Sequence, residues 1–216
     1  MEMEMEMDSK WEMETVMYAA TKRICWMILV ILRRVRVWGK ENIPGKGGLV
    51  ITSNHSSYWD PVIISCVMER QIHFMANRGL FKILFLGSAF RALGAFPVDR
   101  RHPGTRPIKQ AISLLKEGKV VGVFPEGGTN HTGRLVFPEL GSFFLAARAQ
   151  VPVLPVGIVG ARGVVGRVRV YIGESMPPPA PGLDRLGLED YGRRWTEAIN
   201  CLLDRSAGDC GVRIDG

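Results

Sequence analysis

The apolar positions of this chain fall into two regimes. The first is a single unbroken run, Ile24 to Leu32, nine apolar residues preceded by Lys22 and Arg23 and followed by Arg33, Arg34 and Arg36. The second begins near residue 37, where short apolar runs alternate with segments of helical spacing. Leu49 to Thr52 predicts a strand, opened by the turn Pro44-Gly45-Lys46-Gly47-Gly48. Pro61 to Met68 predicts a helix, with Asp60 as its N-cap and Pro61 at its first position. Ile72 to Met75 predicts a strand, Leu80 to Leu93 a helix ended by Gly94, and Ala95 to Val98 a short extended piece. Pro107 to Lys116 places Ile108, Ala111, Ile112 and Leu115 on one helical face, and Gly118 ends it. Val120 to Phe124 is apolar throughout, the pattern of a strand buried on both faces. Phe143 to Ala149 predicts a helix, Val153 to Val159 a strand, Arg167 to Ile172 an edge or half-exposed strand, and Glu189 to Leu203 a last helix after a proline-rich spacer.

Strands alternating with helices predict an α/β fold: a single domain with a mainly parallel mixed sheet flanked by helices. The Ile24–Leu32 run adds an amphipathic membrane-surface helix. Nine residues span about 14 Å as a helix, against about 30 Å for the hydrocarbon core, so the run is too short to cross. Basic residues at both ends can snorkel to headgroups while the apolar part dips in, and Trp11, Tyr18, Trp26 and Trp38 suit an interface. A core helix with solvated charges is the plainer alternative. The opening MEMEMEMD is low in complexity and expected to fray. No cleavable leader is expected, because the start is acidic and no small-residue cleavage site follows the apolar run.

Charge sharpens this picture. The formal net charge is +7, yet the first fifteen residues hold six acids against Lys10, so the rest is more basic than the average suggests. Such a body attracts an anionic partner, whether lipid headgroup, phosphorylated substrate or nucleic acid. No helix-turn-helix, ribonucleoprotein or zinc-finger pattern supports the nucleic acid. Cys25, Cys66, Cys201 and Cys210 form no CxxC pair and suggest no metal site.

The candidate chemistry lies in segments that follow predicted strands. In Ser53-Asn54-His55-Ser56-Ser57-Tyr58-Trp59-Asp60, His55 is a general base suited to neutral pH, and Asp60 is placed to hold its other ring nitrogen. Alone, an H-x4-D pair is a common accident. Phe124-Pro125-Glu126-Gly127-Gly128-Thr129-Asn130 puts a carboxylate and a flexible turn at another strand end, suited to a polyhydroxyl group or to nothing more than a solvated turn. Gly94-Ala95-Phe96-Pro97-Val98-Asp99-Arg100-Arg101 supplies guanidinium groups suited to phosphate, or a surface ion pair. His73 reads as structural, His102 as part of a solvated loop, and His131 lies near the Glu126 turn.

Together these segments resemble the motifs of the glycerolipid acyltransferases, typified by 1-acyl-sn-glycerol-3-phosphate acyltransferase. NHSSYWD is similar to their first motif, GAFPVDR to the second, FPEGG to the third and Val151-Pro152-Val153-Leu154-Pro155-Val156 to the fourth, in the family's order. The resemblance implies O-acyl transfer from an acyl-CoA or acyl carrier protein thioester to the free hydroxyl of a lysophospholipid, most simply 1-acyl-sn-glycerol-3-phosphate. In that reading His55 is the base and Asp60 its orienting partner. Asn54, Arg100, Glu126, Gly127 and Gly128 bind substrate, with Arg100 on the phosphate and Glu126 on the glycerol. Pro152 and Pro155 shape the wall. No metal or organic cofactor takes part, and the location is the cytoplasmic face of the cell membrane, monotopic or peripheral on anionic lipid. Backbone N–H groups of the first motif are the expected oxyanion donors. The chain then divides into a disordered acidic lead (1–10), an interfacial anchoring helical segment (11–36), an acyltransferase domain (37–206) and a loose tail (207–216). Two departures stand out. Gly128, Thr129 and Asn130 replace the usual Thr-Arg-Ser of the third motif, and Glu139 stands where a lysine is common. A different lysophospholipid or hydroxyl lipid as acceptor, or a non-catalytic lipid-binding protein on the same fold, are the alternatives.

Overall fold

In a computed structural model, residues 2–82, 94–98, 104–132, 134–163 and 165–205 are described. Helix α1 (Glu2–Arg33) is followed by β1 (Arg36–Trp38), β2 (Leu49–Ser53), α2 (Asp60–Val67), β3 (Ile72–Asn77) and β4 (Phe96–Val98). Then come α3 (Thr105–Lys116), β5 (Val120–Val123), α4 (Gly141–Ala149), β6 (Val153–Val159), β7 (Arg169–Ile172) and α5 (Arg185–Asp204). The strands form one seven-stranded sheet in the order β1-β7-β6-β2-β5-β3-β4. Every pairing is parallel except β6 with β7. The predicted α/β class with a mainly parallel mixed sheet is the observed one.

Alternation along the central strands sends side chains into two cores. Leu49 and Ile51 of β2 and Ile72 and Phe74 of β3 pack with Leu29 of α1 and Ile63, Ile64 and Val67 of α2. Val50, Val121 and Val153 face the other way, onto Ala111 and Leu115 of α3, Phe143 of α4 and Tyr191 and Trp195 of α5. The result is three layers, helix on sheet on helix, and the central strands read as continuous apolar runs because both faces are covered. Trp195 also donates its indole N–H to Thr52 Oγ1 at 2.7 Å, pinning α5 to the middle of β2.

Four expectations change. Helix α1 starts at Glu2, inside the segment expected to fray, because Met and Glu are both good helix formers and no breaker intervenes. Strand β7 is not an edge: β1, absent from the sequence-predicted elements, pairs along its outer side. Asp60 is the first residue of α2 rather than its cap, which is Trp59. The predicted Leu80–Leu93 helix lies mostly outside the described residues, and its described start, Arg78–Lys82, is a 3-10 turn.

Helix α1 ends with Arg34 in the left-handed region, at φ 42°, which turns the chain into β1. Two of its basic residues are not free for headgroups. Lys22 donates to the Met68 carbonyl at the end of α2. Arg33 is 2% exposed and donates to the carbonyls of Gly160 (2.9 Å), Arg162 (3.4 Å) and Gly163. Ile24, Met27, Ile28 and Ile31 remain exposed, recurring at helical spacing on one side. Among the described residues no helix is long and apolar enough to cross a membrane.

Candidate active site

Strands β2, β5 and β6 are adjacent and parallel, so their C-terminal ends open on the same edge of the sheet. In open α/β sheets that edge is where ligands bind. The first and third motifs leave β2 and β5 there, and the Gly160–Gly163 loop leaves β6 beside them.

His55 is 6% exposed and Asp60 0%. His55 Nδ1 lies 3.1 Å from Asp60 Oδ2. That carboxylate oxygen also accepts the backbone N–H groups of Ser56 (2.7 Å) and Ser57 (2.8 Å). The carboxylate at the first turn of α2 is therefore fixed by three donors, and the acceptor it offers fixes the proton of His55 on Nδ1. Nε2 is left as the basic nitrogen, facing the Thr129 hydroxyl at 3.3 Å. The imidazole stacks on Phe124 with ring centroids 4.1 Å apart, which closes one side of the base to water.

The third motif is tied to the first through Glu126 and Asn130. Glu126 Oε1 accepts the His55 N–H at 2.7 Å, and Oε2 accepts the Asn130 side-chain amide at 2.6 Å. Asn130 N–H donates to the His55 carbonyl at 2.6 Å. Gly127 has φ 69°, a left-handed conformation that favours glycine, and a β-carbon there would displace the Glu139 carboxylate. Gly128 follows it in the same loop. Asn54 lines the site, but its amide is closed on β6: Nδ2 donates to the Ile158 carbonyl at 2.9 Å and Oδ1 accepts the Ile158 N–H at 2.8 Å. Two such bonds, at about 1 kcal/mol each, lock β2 to β6 where the loops diverge.

Three of the first motif's backbone N–H groups are committed within the site. The N–H groups of His55, Ser56 and Ser57 all point at carboxylates of Glu126 and Asp60. Arg100, expected on the acceptor phosphate, lies outside the described residues. His73 fits its structural reading: burial lowers its pKa from the usual 6.5, and a backbone hydrogen bond to Gly94 opposes that shift.

Two cavities open along this edge. One of about 50 Å³ is lined by Asn54, His55, Ser56, Glu126, Asn130, Arg134 and Arg162 among others. The second, about 280 Å³, lies at the ends of β3, β4 and β5 and is mostly apolar, with Met75, Ala76, Val98, Val123, Phe124 and Leu145 in its wall. Sequence reasoning passed over Thr129 and Asn130 as mere departures. It read Arg33 as a headgroup contact, where the structure turns it inward, and overlooked Arg162, whose position just beyond the fourth motif at a strand end was the available signal.

A braced His–Asp pair whose Nε2 faces a hydroxyl, set in a cleft at the ends of parallel strands, suits an enzyme that activates a hydroxyl by general base. Residues 34–159 match the family Acyltransferase. Over 194 residues the chain is 34% identical to the 1-acyl-sn-glycerol-3-phosphate acyltransferase of Bacillus subtilis, covering 85% of this chain and 94% of that one. It is 33% identical over 126 residues to the human 1-acyl-sn-glycerol-3-phosphate acyltransferase alpha, covering 57% of this chain and 44% of that one. It also spans only 42% of the chloroplast LPAT1 of Arabidopsis thaliana, at 31% identity. The crystal structure of the 1-acyl-sn-glycerophosphate (LPA) acyltransferase PlsC from Thermotoga maritima superposes with a TM-score of 0.65 at 26% identity, covering 93% of this chain and 81% of that chain. The chain belongs to the Acyltransferase family and is an acyltransferase.

Proposed function

We propose that this enzyme transfers a fatty acyl group from a thioester to the free hydroxyl of 1-acyl-sn-glycerol-3-phosphate, giving phosphatidic acid. The observation that carries the reading is the state of His55: Nδ1 committed to Asp60, Nε2 basic and turned toward a hydroxyl. The Thr129 oxygen marks the place an acceptor hydroxyl would take. Nε2 removes the acceptor's proton as the oxygen bonds to the thioester carbonyl carbon. Asp60 stabilises the imidazolium that forms. The tetrahedral intermediate collapses, the C–S bond breaks, and the departing sulfur takes the proton from Nε2. The products are an ester and a free thiol, and no cofactor enters the step. Likeness to relatives named 1-acyl-sn-glycerol-3-phosphate acyltransferases supports the choice of acceptor.

The donor is acyl-CoA or acyl carrier protein. The apolar cavity is the place for an acyl tail, since it shares Phe124 with the ring that stacks on His55. The enzyme works as a peripheral or monotopic protein on the cytoplasmic face of an anionic membrane. The exposed face of Ile24, Met27, Ile28 and Ile31 on α1 enters the interface, with exposed Arg23 and Arg34 beside headgroups. Arg100 remains a candidate for the acceptor phosphate, and Glu126 and Gly127 for its glycerol.

Product analysis tests the reading. Purified protein in mixed micelles with palmitoyl-CoA and 1-acyl-sn-glycerol-3-phosphate should yield a diacylated phosphatidic acid by mass spectrometry. No such product, from palmitoyl-CoA or from palmitoyl acyl carrier protein, would count against it.

A further inference from the structure

The small cavity beside His55 holds two arginines from separate loops. Arg134 comes from the loop after β5 and Arg162 from the loop after β6. Neither matches a position that the resemblance marks as functional. Both residues line the cavity that the base also lines, and the Arg162 guanidinium is held at its rim on the Asn130 carbonyl. A group bound there is a few ångströms from the reacting hydroxyl.

The loop that presents Arg162 is built to hold it still. Gly160 has φ 80°, and a β-carbon there would meet the Arg167 carbonyl oxygen at 2.1 Å. Arg33, buried at the end of α1, gathers the Gly160, Arg162 and Gly163 carbonyls on its guanidinium. Burial lowers the Arg33 pKa, while the nearby negative charge of Asp60 acts to raise it. A buried cation without a carboxylate bonded to it is costly, so its use as a carbonyl clamp marks a loop whose position is maintained. The Arg162 side chain then reaches across to the third-motif loop and donates to the Asn130 carbonyl at 3.2 Å. One recorded bond uses one of the five N–H donors of a guanidinium, and the rest suit the paired oxygens of a phosphate. Glu126, the acidic residue in the cavity lining, is already engaged by His55 and Asn130.

We propose that Arg162, assisted by Arg134, contacts the phosphate monoester of the acceptor alongside the candidate Arg100, and that Arg33 is a positioning residue that sets the Arg162 loop. This deepens the acceptor assignment made above and rests on it. A cavity of about 50 Å³ suits a small phosphoryl headgroup and not the nucleotide part of coenzyme A. The acceptor, rather than the donor, is therefore its occupant.

The test compares wild type with Arg162→Ala and Arg134→Ala in two assays. In steady-state turnover, Arg162→Ala should raise KM for 1-acyl-sn-glycerol-3-phosphate at least tenfold, with KM for palmitoyl-CoA within twofold, and Arg134→Ala should do the same more weakly. The preference for 1-acyl-sn-glycerol-3-phosphate over 1-acylglycerol, as a ratio of kcat/KM, should fall at least tenfold in Arg162→Ala. In calorimetry, glycerol 3-phosphate should bind wild type and not Arg162→Ala. An unchanged acceptor KM in an active Arg162→Ala, or an equal rise in donor KM, overturns the subsite and leaves the proposed function standing. No turnover by wild type, with glycerol 3-phosphate binding that still requires Arg162, overturns the proposed function and keeps the subsite. Arg33→Lys serves as the second variant. It should raise the acceptor KM and leave the donor KM alone, and a rise in both would reduce Arg33 to a general stabiliser.

Discussion

The two cavities along the C-terminal edge of the sheet differ in the chemistry of their walls. At the ends of β2, β5 and β6 the cavity is small and cross-braced, and its lining brings the ionisable and amide residues His55, Glu126, Asn130, Arg134 and Arg162 together with Leu135 and Leu203 around about 50 Å³. At the ends of β3, β4 and β5 the wall is chiefly aliphatic and aromatic around about 280 Å³. Strand β5 serves both, through Phe124, whose ring stacks on His55 and lines the apolar space. An acyl-transfer enzyme has to bring a charged headgroup and an apolar tail to one reacting carbon. In the proposed reading the two cavities of this sheet edge meet those demands separately, with Phe124 between the base and the larger one.

Removing the base breaks the polar side most completely. His55→Ala should lower kcat by about 10²- to 10⁴-fold, the usual worth of a general base, while circular dichroism stays unchanged. Asn130→Ala attacks the bracing instead. It frees Glu126 and the third-motif loop, and misplacing groups by about 1 Å can cost up to about 100-fold. Activity should therefore drop by about ten- to a hundredfold, less than with His55→Ala, and a drop in the unfolding midpoint should accompany it. On the apolar side, Ala76→Phe fills the larger cavity. It should leave short-chain donors nearly untouched and reduce kcat/KM for palmitoyl-CoA by about tenfold, since each methylene excluded from an apolar pocket is worth ~1–3 kcal/mol.

Outside both cavities the effects are smaller. Ile24→Asp with Ile31→Asp on the exposed face of α1 should weaken binding to anionic vesicles, measured by sedimentation, without changing turnover of a soluble short-chain acceptor. Unaltered binding would move the contact elsewhere. The least effect concerns His73, whose pKa burial lowers from 6.5. Because the folded state holds the lower pKa, the unfolded chain takes up the proton first as pH falls below about 6.5. The neutral form costs nothing above that pH, and stability is lost as pH drops through the interval down to the lowered value. His73→Gln should flatten the unfolding midpoint between pH 7 and 5, and an unchanged slope would remove His73 as the source.

The parallel sheet was legible because its central strands are buried on both faces and read as apolar runs such as Val120 to Val123. Helix α3 was legible from its apolar stripe. Strand β1 was not, since Arg36, Val37 and Trp38 make a three-residue edge with no periodicity to detect, and its effect was to turn β7 from an edge into an interior strand. In the site, residue type and spacing only suggested the pairing of His55 with Asp60, and the resemblance of four motifs in order singled it out. The roles of Asn54 and Arg33 were not legible, because both depend on partners more than a hundred residues away, at Ile158 and Gly160 to Gly163. A basic residue beside an apolar run reads as a headgroup ligand in sequence. Only the path of the backbone shows that Arg33 turns inward.

The most direct test of the central claim is thiol release from palmitoyl-CoA by the detergent-solubilised protein, measured with 1-acyl-sn-glycerol-3-phosphate and a panel of other lysophospholipids, with His55→Ala alongside. Release that needs an acceptor, is fastest with 1-acyl-sn-glycerol-3-phosphate and vanishes in His55→Ala is the predicted result. Release that is independent of acceptor, or that survives in His55→Ala, would contradict the mechanism.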